Sequence, residues 1–157
     1  MSCYYKALPR LIPELILLAG RGAEISFVSP WVDNVVLLPP RFGTGEEAYT
    51  NSNIQLREFL LRITRDFDMR VVLLIRDRDR RLRSALGNIQ NTSPDKILIK
   101  DYPYIHAKMI VTPRFVLETS ANILQTSLFR NIESCTLIRN SFGSTRRYLR
   151  NKLGIII

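Results

Sequence analysis

The six residues Arg70 to Ile75 (RVVLLI) constrain the fold more than any other stretch. A near-unbroken apolar run with β-branched side chains, bounded by polar residues, reads as a strand buried on both faces. Both faces are covered only if helices pack above and below, as in an α/β domain with parallel neighbours. Glu24 to Ser29 (EISFVS) reads as another strand, stopped by Pro30. Before it, Leu8 to Gly20 reads as a helix with Pro9 and Pro13 near its start and Gly20 at its end. Asn53 is placed to cap a helix running to about Phe67, with Ile54, Leu56, Phe59, Leu60 and Ile63 on its apolar side.

The second half reads differently. A helix over about Asp79 to Asn88 is followed by strand candidates at Lys96–Lys100, His106–Thr112 and Phe115–Glu118. The tight Thr112-Pro113-Arg114 link makes the last two a hairpin. A short helix over Asn122–Phe129, a strand over Ser134–Arg139 and a basic helix over Ser144–Leu153 complete the pattern. Alternating elements early and hairpins late predict a mixed sheet layered with helices. Pro39 to Asn53 is the one long loop, a kind of segment that tends to be functional or mobile.

Composition narrows the function classes. Hydrophobic residues are 46% and charged residues 24% of 157, which excludes disorder and collagen-like chains. The apolar run Leu15–Ala19 is far short of the ~20 residues a membrane span needs, and Pro13 and Glu14 spoil it as a signal-peptide core. Cys3 and Cys135 are far apart and lack metal-ligand spacing. They suggest no disulfide framework, so a reducing cytoplasm is the default expectation. The net charge is +9, carried by 18 Arg and 5 Lys, which favours polyanionic partners. An Arg-rich surface suited to a hot habitat fits the same numbers.

His106 is the only histidine. In a strand, His106 and Lys108 share a face because side chains alternate. Two cationic groups side by side repel unless an anion sits between them. Taken alone, the pair also fits a solvated strand face. Further along stand Ser120-x-Asn122 at the end of the next strand and Asn131-x-Glu133 before another.

His106-x-Lys108, Ser120-x-Asn122 and Asn131-x-Glu133 together resemble the signature of the phospholipase D superfamily, most closely its small single-motif nucleases. The resemblance is widest over residues 99–139, and Ile25 to Trp31 (ISFVSPW) is similar to an early strand of that fold. It implies one domain over residues 1–157, built as a mixed β-sheet flanked by helices on both faces. It also implies a metal-independent phosphodiesterase that needs no cofactor. His106 would then be the nucleophile, forming a phosphohistidine. Lys108, Asn122 and Ser120 would donate hydrogen bonds to the phosphate oxygens. Glu133 would fix the tautomer of His106, although a surface charge at a strand start is an equal reading of that residue. Asn131 would position phosphate or cap a loop. Two-motif relatives bring two histidines together, whereas this chain has one. Stoichiometry and the resemblance therefore imply a homodimer sharing one site.

Two positions depart from the pattern. Seven residues after the histidine, where the family carries aspartate, stands Pro113, and Thr119 replaces the usual glycine before the serine. These departures frame a second reading, a catalytically weakened or inactive nucleic-acid-binding module of the same fold. A lipid-acting member is the weakest reading, since no amphipathic membrane-binding helix is evident and no stable membrane association is expected.

Two basic stretches are candidates for gripping backbone phosphates. Arg76, Arg78, Arg80 and Arg81 fall in RDRDRRLR, which begins where a parallel-type strand ends. Arg146, Arg147 and Arg150 share part of one face of the last helix. Each stretch also fits an ordinary solvated helix face. Trp31, Tyr102 and Tyr104 are aromatic platforms near the motif, with core or rim packing as their ordinary alternative.

Overall fold

The structure, a computed structural model, describes residues 2–4, 8–38, 53–76, 86, 88–130 and 133–157. The elements run in the order β1 (Ser2–Tyr4), α1 (Leu8–Ala19), β2 (Glu24–Ser29), β3 (Val36–Leu37), β4 (Ile54–Gln55), α2 (Leu56–Asp66), β5 (Arg70–Ile75), α3 (Ile89–Thr92), β6 (Ile97–Asp101), β7 (Met109–Val111), β8 (Phe115–Thr119), α4 (Gln125–Phe129), β9 (Ser134–Arg139) and α5 (Thr145–Leu153). Seven strands form one sheet in the order β1-β9-β8-β7-β2-β5-β6, and β3 pairs with β4 separately. β2, β5 and β6 are parallel, while β7, β8, β9 and β1 pair antiparallel. The mixed sheet expected from the sequence is therefore present.

Period-two alternation divides the core into two layers. Ile25, Phe27, Val71, Leu73, Ile110 and Leu117 face one cluster, shared with Leu8, Ile12, Ile16, Phe59, Leu60 and Ile63 of α1 and α2. Val28, Val72, Leu74, Val111 and Val116 face the other, shared with Tyr148 and Leu149 of α5. Helices thus cover both faces. β5 is buried from Val71 to Ile75, as its apolar run demands. α1 accommodates Pro13 because another group takes over the missing donor. Proline has no N–H for the carbonyl four residues back, and that carbonyl, on Pro9, accepts from the Leu38 N–H at 2.9 Å.

Several expectations are corrected. The second helix starts at Leu56 with Gln55 as its N-cap, not at Asn53, because residues 54–55 pair with β3. Residues 105–108 precede β7 as extended chain without regular strand pairing, so the strand expected at His106 begins at Met109. The short helix starts at Gln125, since Ile123 is held in a parallel bridge to Val32. Most of the helix expected over Asp79–Asn88, and nearly all of the long loop, lie outside the described residues. Cys135 is disulfide-bonded, and strand register sets the other cysteine, Cys3, directly opposite it. Sequence separation hides this because a three-residue edge strand carries too little pattern to be read. The reducing compartment expected above rested on free thiols, and that basis is removed. Among the described residues no helix is long and apolar enough to cross a membrane.

The α5 face carries a pH-dependent bond. Tyr148 is buried, and its hydroxyl donates to Glu118 Oε1 at 3.0 Å. Burial first, then the Glu118 carboxylate, pushes its pKa up to about 12. Ionisation is therefore easier in the unfolded chain. The contribution is intact below pH ~10 and is lost as pH rises through the folded value, by about 2 kcal/mol in all. Urea unfolding at pH 9 and pH 11 should show about half of this loss, since pH 11 lies midway between the two values, and Tyr148→Phe should lack that part of it.

Candidate active site

His106, Lys108, Ser120, Asn122 and Glu133 lie at one edge of the main sheet. The parallel strands β2, β5 and β6 end there at Ser29, Ile75 and Asp101, the usual position for a ligand in an open α/β sheet. β7 runs antiparallel to β2 and starts at this edge, with Met109 paired to Val28. Lys108 therefore stands beside the Ser29 end of β2. β8 ends here at Thr119, whose N–H donates to the Lys108 carbonyl at 2.9 Å. β9 begins here, with Cys135 opposite Thr119 and Glu133 one residue before the strand.

Ile105, Ala107, Met109 and Val111 all pack in the cluster beneath α5. Alternation thus continues ahead of β7 and leaves His106 and Lys108 off that cluster, as their spacing predicts. His106 is exposed and Lys108 is half-buried. The Lys108 ammonium lies 3.4 Å from the His106 carbonyl oxygen. Among the described residues no hydrogen bond fixes the His106 ring, and none joins it to Glu133.

Glu133 instead accepts a hydrogen bond from the Ser120 hydroxyl. The same hydroxyl oxygen accepts from the Ser134 N–H at 2.9 Å, and the Ser120 N–H donates to the Ser134 carbonyl at 2.9 Å. Ser120 therefore clamps the end of β8 to the start of β9. Thr119 reinforces the clamp. Its hydroxyl donates to the Ser134 carbonyl at 3.0 Å and accepts from the Ala121 N–H at 3.0 Å. Thr119 is not in a positive-φ conformation, so nothing at this turn demands the glycine expected there.

Beside Asn122 stands a residue that sequence reasoning missed. Ser29 is fully buried, and its hydroxyl donates to the Trp31 carbonyl at 2.7 Å. Its oxygen also accepts from the Ile123 N–H at 3.3 Å and lies 3.5 Å from Asn122 Oδ1. The Asp33 N–H donates to the Ile123 carbonyl at 2.8 Å. The loop after β2 and the loop after β8 are thus laced together around Asn122. The available signal was the Ser-Pro-Trp sequence, which read only as a strand end. Ser29→Ala is expected to cost about 1–2 kcal/mol through the orphaned Ile123 N–H. Urea unfolding checks this.

Pro113 sits far from all of this. β7 carries the chain away from His106, so the position seven residues on lies at the opposite sheet edge, with Glu24, Ser144 and Arg146 around it. Thr112 and Asn140 organise that turn. The Thr112 hydroxyl oxygen accepts from the Phe115 N–H at 2.9 Å, and Asn140 Nδ2 donates to the Thr112 carbonyl at 2.7 Å. Arg146, on the face expected to bind phosphate, is paired there with Glu24 at 2.7 Å. At the signature edge Arg76 is exposed just past β5, whereas Asn131, Arg78, Arg80 and Arg81 lie outside the described residues. No group of three His, Cys, Asp or Glu stands together as a metal site among the described residues.

This architecture is the phospholipase D fold. The chain superposes on Nuc, a phospholipase D family member from Salmonella typhimurium, with a TM-score of 0.58 at 17% identity, covering 89% of this chain and 82% of Nuc. NucT from Helicobacter pylori gives a TM-score of 0.51 at 11% identity, over 98% of this chain and 91% of NucT. TrmBL2, described as an archaeal chromatin protein with a novel mode of DNA binding, gives 0.52 at 12% identity. That match covers 89% of this chain but only 45% of TrmBL2. No protein-family model matches the sequence, and a search of curated proteins finds no match.

Proposed function

We propose that the chain is a nuclease of the phospholipase D type, a metal-independent phosphodiesterase with its active site shared across a homodimer. The observation that carries this reading is the gathering of His106, Lys108, Ser120, Asn122 and Glu133 at one edge of a phospholipase D-like sheet. His106 attacks phosphorus through a neutral ring nitrogen. The N–P bond forms as the bond from phosphorus to the leaving oxygen breaks. Lys108 and Asn122 donate to the non-bridging oxygens, where charge builds in the transition state. The leaving oxygen takes a proton from His106 of the partner subunit. That neutral imidazole then deprotonates water, which attacks phosphorus and releases His106. The second histidine must come from another copy because the chain has only one.

Ser120 and Glu133 act as a structural clamp in this scheme, with Ser29 bracing the Ile123 backbone next to Asn122. Asn131, Arg76, Arg78, Arg80 and Arg81 are proposed to hold flanking phosphates. The loss of the aspartate is compatible with catalysis, because Pro113 lies at the far edge. The +9 net charge favours nucleic acid as the phosphodiester.

The test is hydrolysis of labelled DNA in excess EDTA, together with sedimentation of the native chain. EDTA-resistant cleavage by a dimer supports the proposal. Absence of cleavage with salt-sensitive DNA binding intact would instead assign a binding module, the reading that the fold of TrmBL2 favours.

A further inference from the structure

A cavity of about 270 Å³ opens beside His106, lined by Tyr102, Tyr104, Ala107, Leu153 and Ile155 among others. It is smaller than the ~300–1,000 Å³ typical of sites for drug-sized ligands, so it suits a single planar ring system. Its walls differ in rigidity. Tyr102 is half-buried, and its hydroxyl donates to the Ile156 carbonyl at 3.1 Å, which ties it to the chain after α5. Tyr104 lines the cavity yet is 92% exposed, so its ring is open to a ligand. The mouth continues into cationic surface. α5 reaches the cavity at Leu153, and Arg150 and Lys152 in its last turn are exposed, with no ion pair among the described residues.

We propose that this cavity is a nucleobase subsite, and that the protein therefore engages single-stranded nucleic acid. The inference rests on the nuclease reading only for the place of the scissile phosphate, against His106. A base next to that phosphate falls within reach of the cavity, and Tyr104 offers its ring as a stacking platform. Arg150 and Lys152 carry the adjoining backbone. In a duplex every base is stacked and paired, so occupation requires an unpaired or extruded base. Stacking is indifferent to base identity, so little sequence preference is expected.

The experiment measures fluorescence anisotropy with two 20-nucleotide probes of equal charge, one of thymidines and one entirely abasic. All proteins carry His106→Ala, which keeps the probes intact, so the comparison does not depend on whether the native chain cleaves. The thymidine probe is expected to bind about tenfold more tightly than the abasic one. Adding Tyr104→Ala, or Ala107→Trp to fill the cavity, should bring the two probes together without weakening the abasic one. An absent base preference, equal losses on both probes, or binding of neither probe would overturn the subsite. Conversion of a dimer to monomers by Tyr104→Ala would overturn it too, by assigning the surface to a second copy. EDTA-resistant cleavage by the native chain without base preference removes the subsite alone. Base preference without cleavage removes the nuclease reading alone.

Discussion

His106→Ala is expected to reduce EDTA-resistant phosphodiester hydrolysis at least about 10⁴-fold, the scale seen when a nucleophile is deleted from a concerted constellation. The fold should be unaffected, since His106 is exposed and forms no side-chain hydrogen bond among the described residues. Unchanged urea unfolding therefore has to accompany the loss. The same variant tests the shared site. If one histidine attacks and its mate protonates, a hybrid dimer is dead. Exchanging native protein with an equal amount of His106→Ala should then leave about half of the original activity, because only a quarter of the dimers pair two native chains. Independent sites would leave the activity unchanged. Activity that persists in the mutant homodimer would remove His106 from the mechanism.

Lys108→Met should lower kcat by about 10²–10³-fold, the range for deleting one preorganised donor to a developing oxyanion. Methionine keeps the apolar stem of the half-buried side chain. Among the described residues the only side-chain hydrogen bond given up is the 3.4 Å contact with the His106 carbonyl, so stability should change little. Lys108→Arg restores charge without restoring the compact ammonium, and should recover only part of the rate. A loss confined to KM would place Lys108 on the bound substrate and not on the transition state.

β2, β5 and β9 were legible in the sequence to their end residues, and the physical reason is shared. Each is internal to the sheet, so its faces are dictated by the core and its pattern is sharp. Sequence reasoning erred where pairing between distant segments decides the structure. β1 is three residues long, and only its register against β9 sets Cys3 opposite Cys135. Residues 54–55 look helical by pattern but are drawn into a two-stranded ladder by β3. The His106–Lys108 segment carries strand alternation without regular strand pairing. In the candidate site the residue types were legible and their partners were not. Glu133 was expected to orient His106, yet it accepts from Ser120, because the strand ends bring residues 120 and 133 together. Ser29 offered only the Ser-Pro-Trp sequence, which read as a strand end and not as chemistry. Its contact with Asn122 spans 93 positions and exists only once β2 and β8 flank β7.

The turn at Pro113 bears on how such chains are recognised. Seven extended residues separate it from His106 by about 20 Å. The letters of the signature therefore divide into two groups with separate duties. In the proposed mechanism His106 and Lys108 answer to chemistry, and their replacement should be intolerable. The seventh position answers to masonry at the other end of a strand, where a threonine hydroxyl and an asparagine amide brace the bend. A search that weights all the letters equally discards proteins for a substitution in a remote corner. Scoring each letter by the sheet edge it occupies would retain them, and would reject chains that keep the acid but have lost the reactive pair.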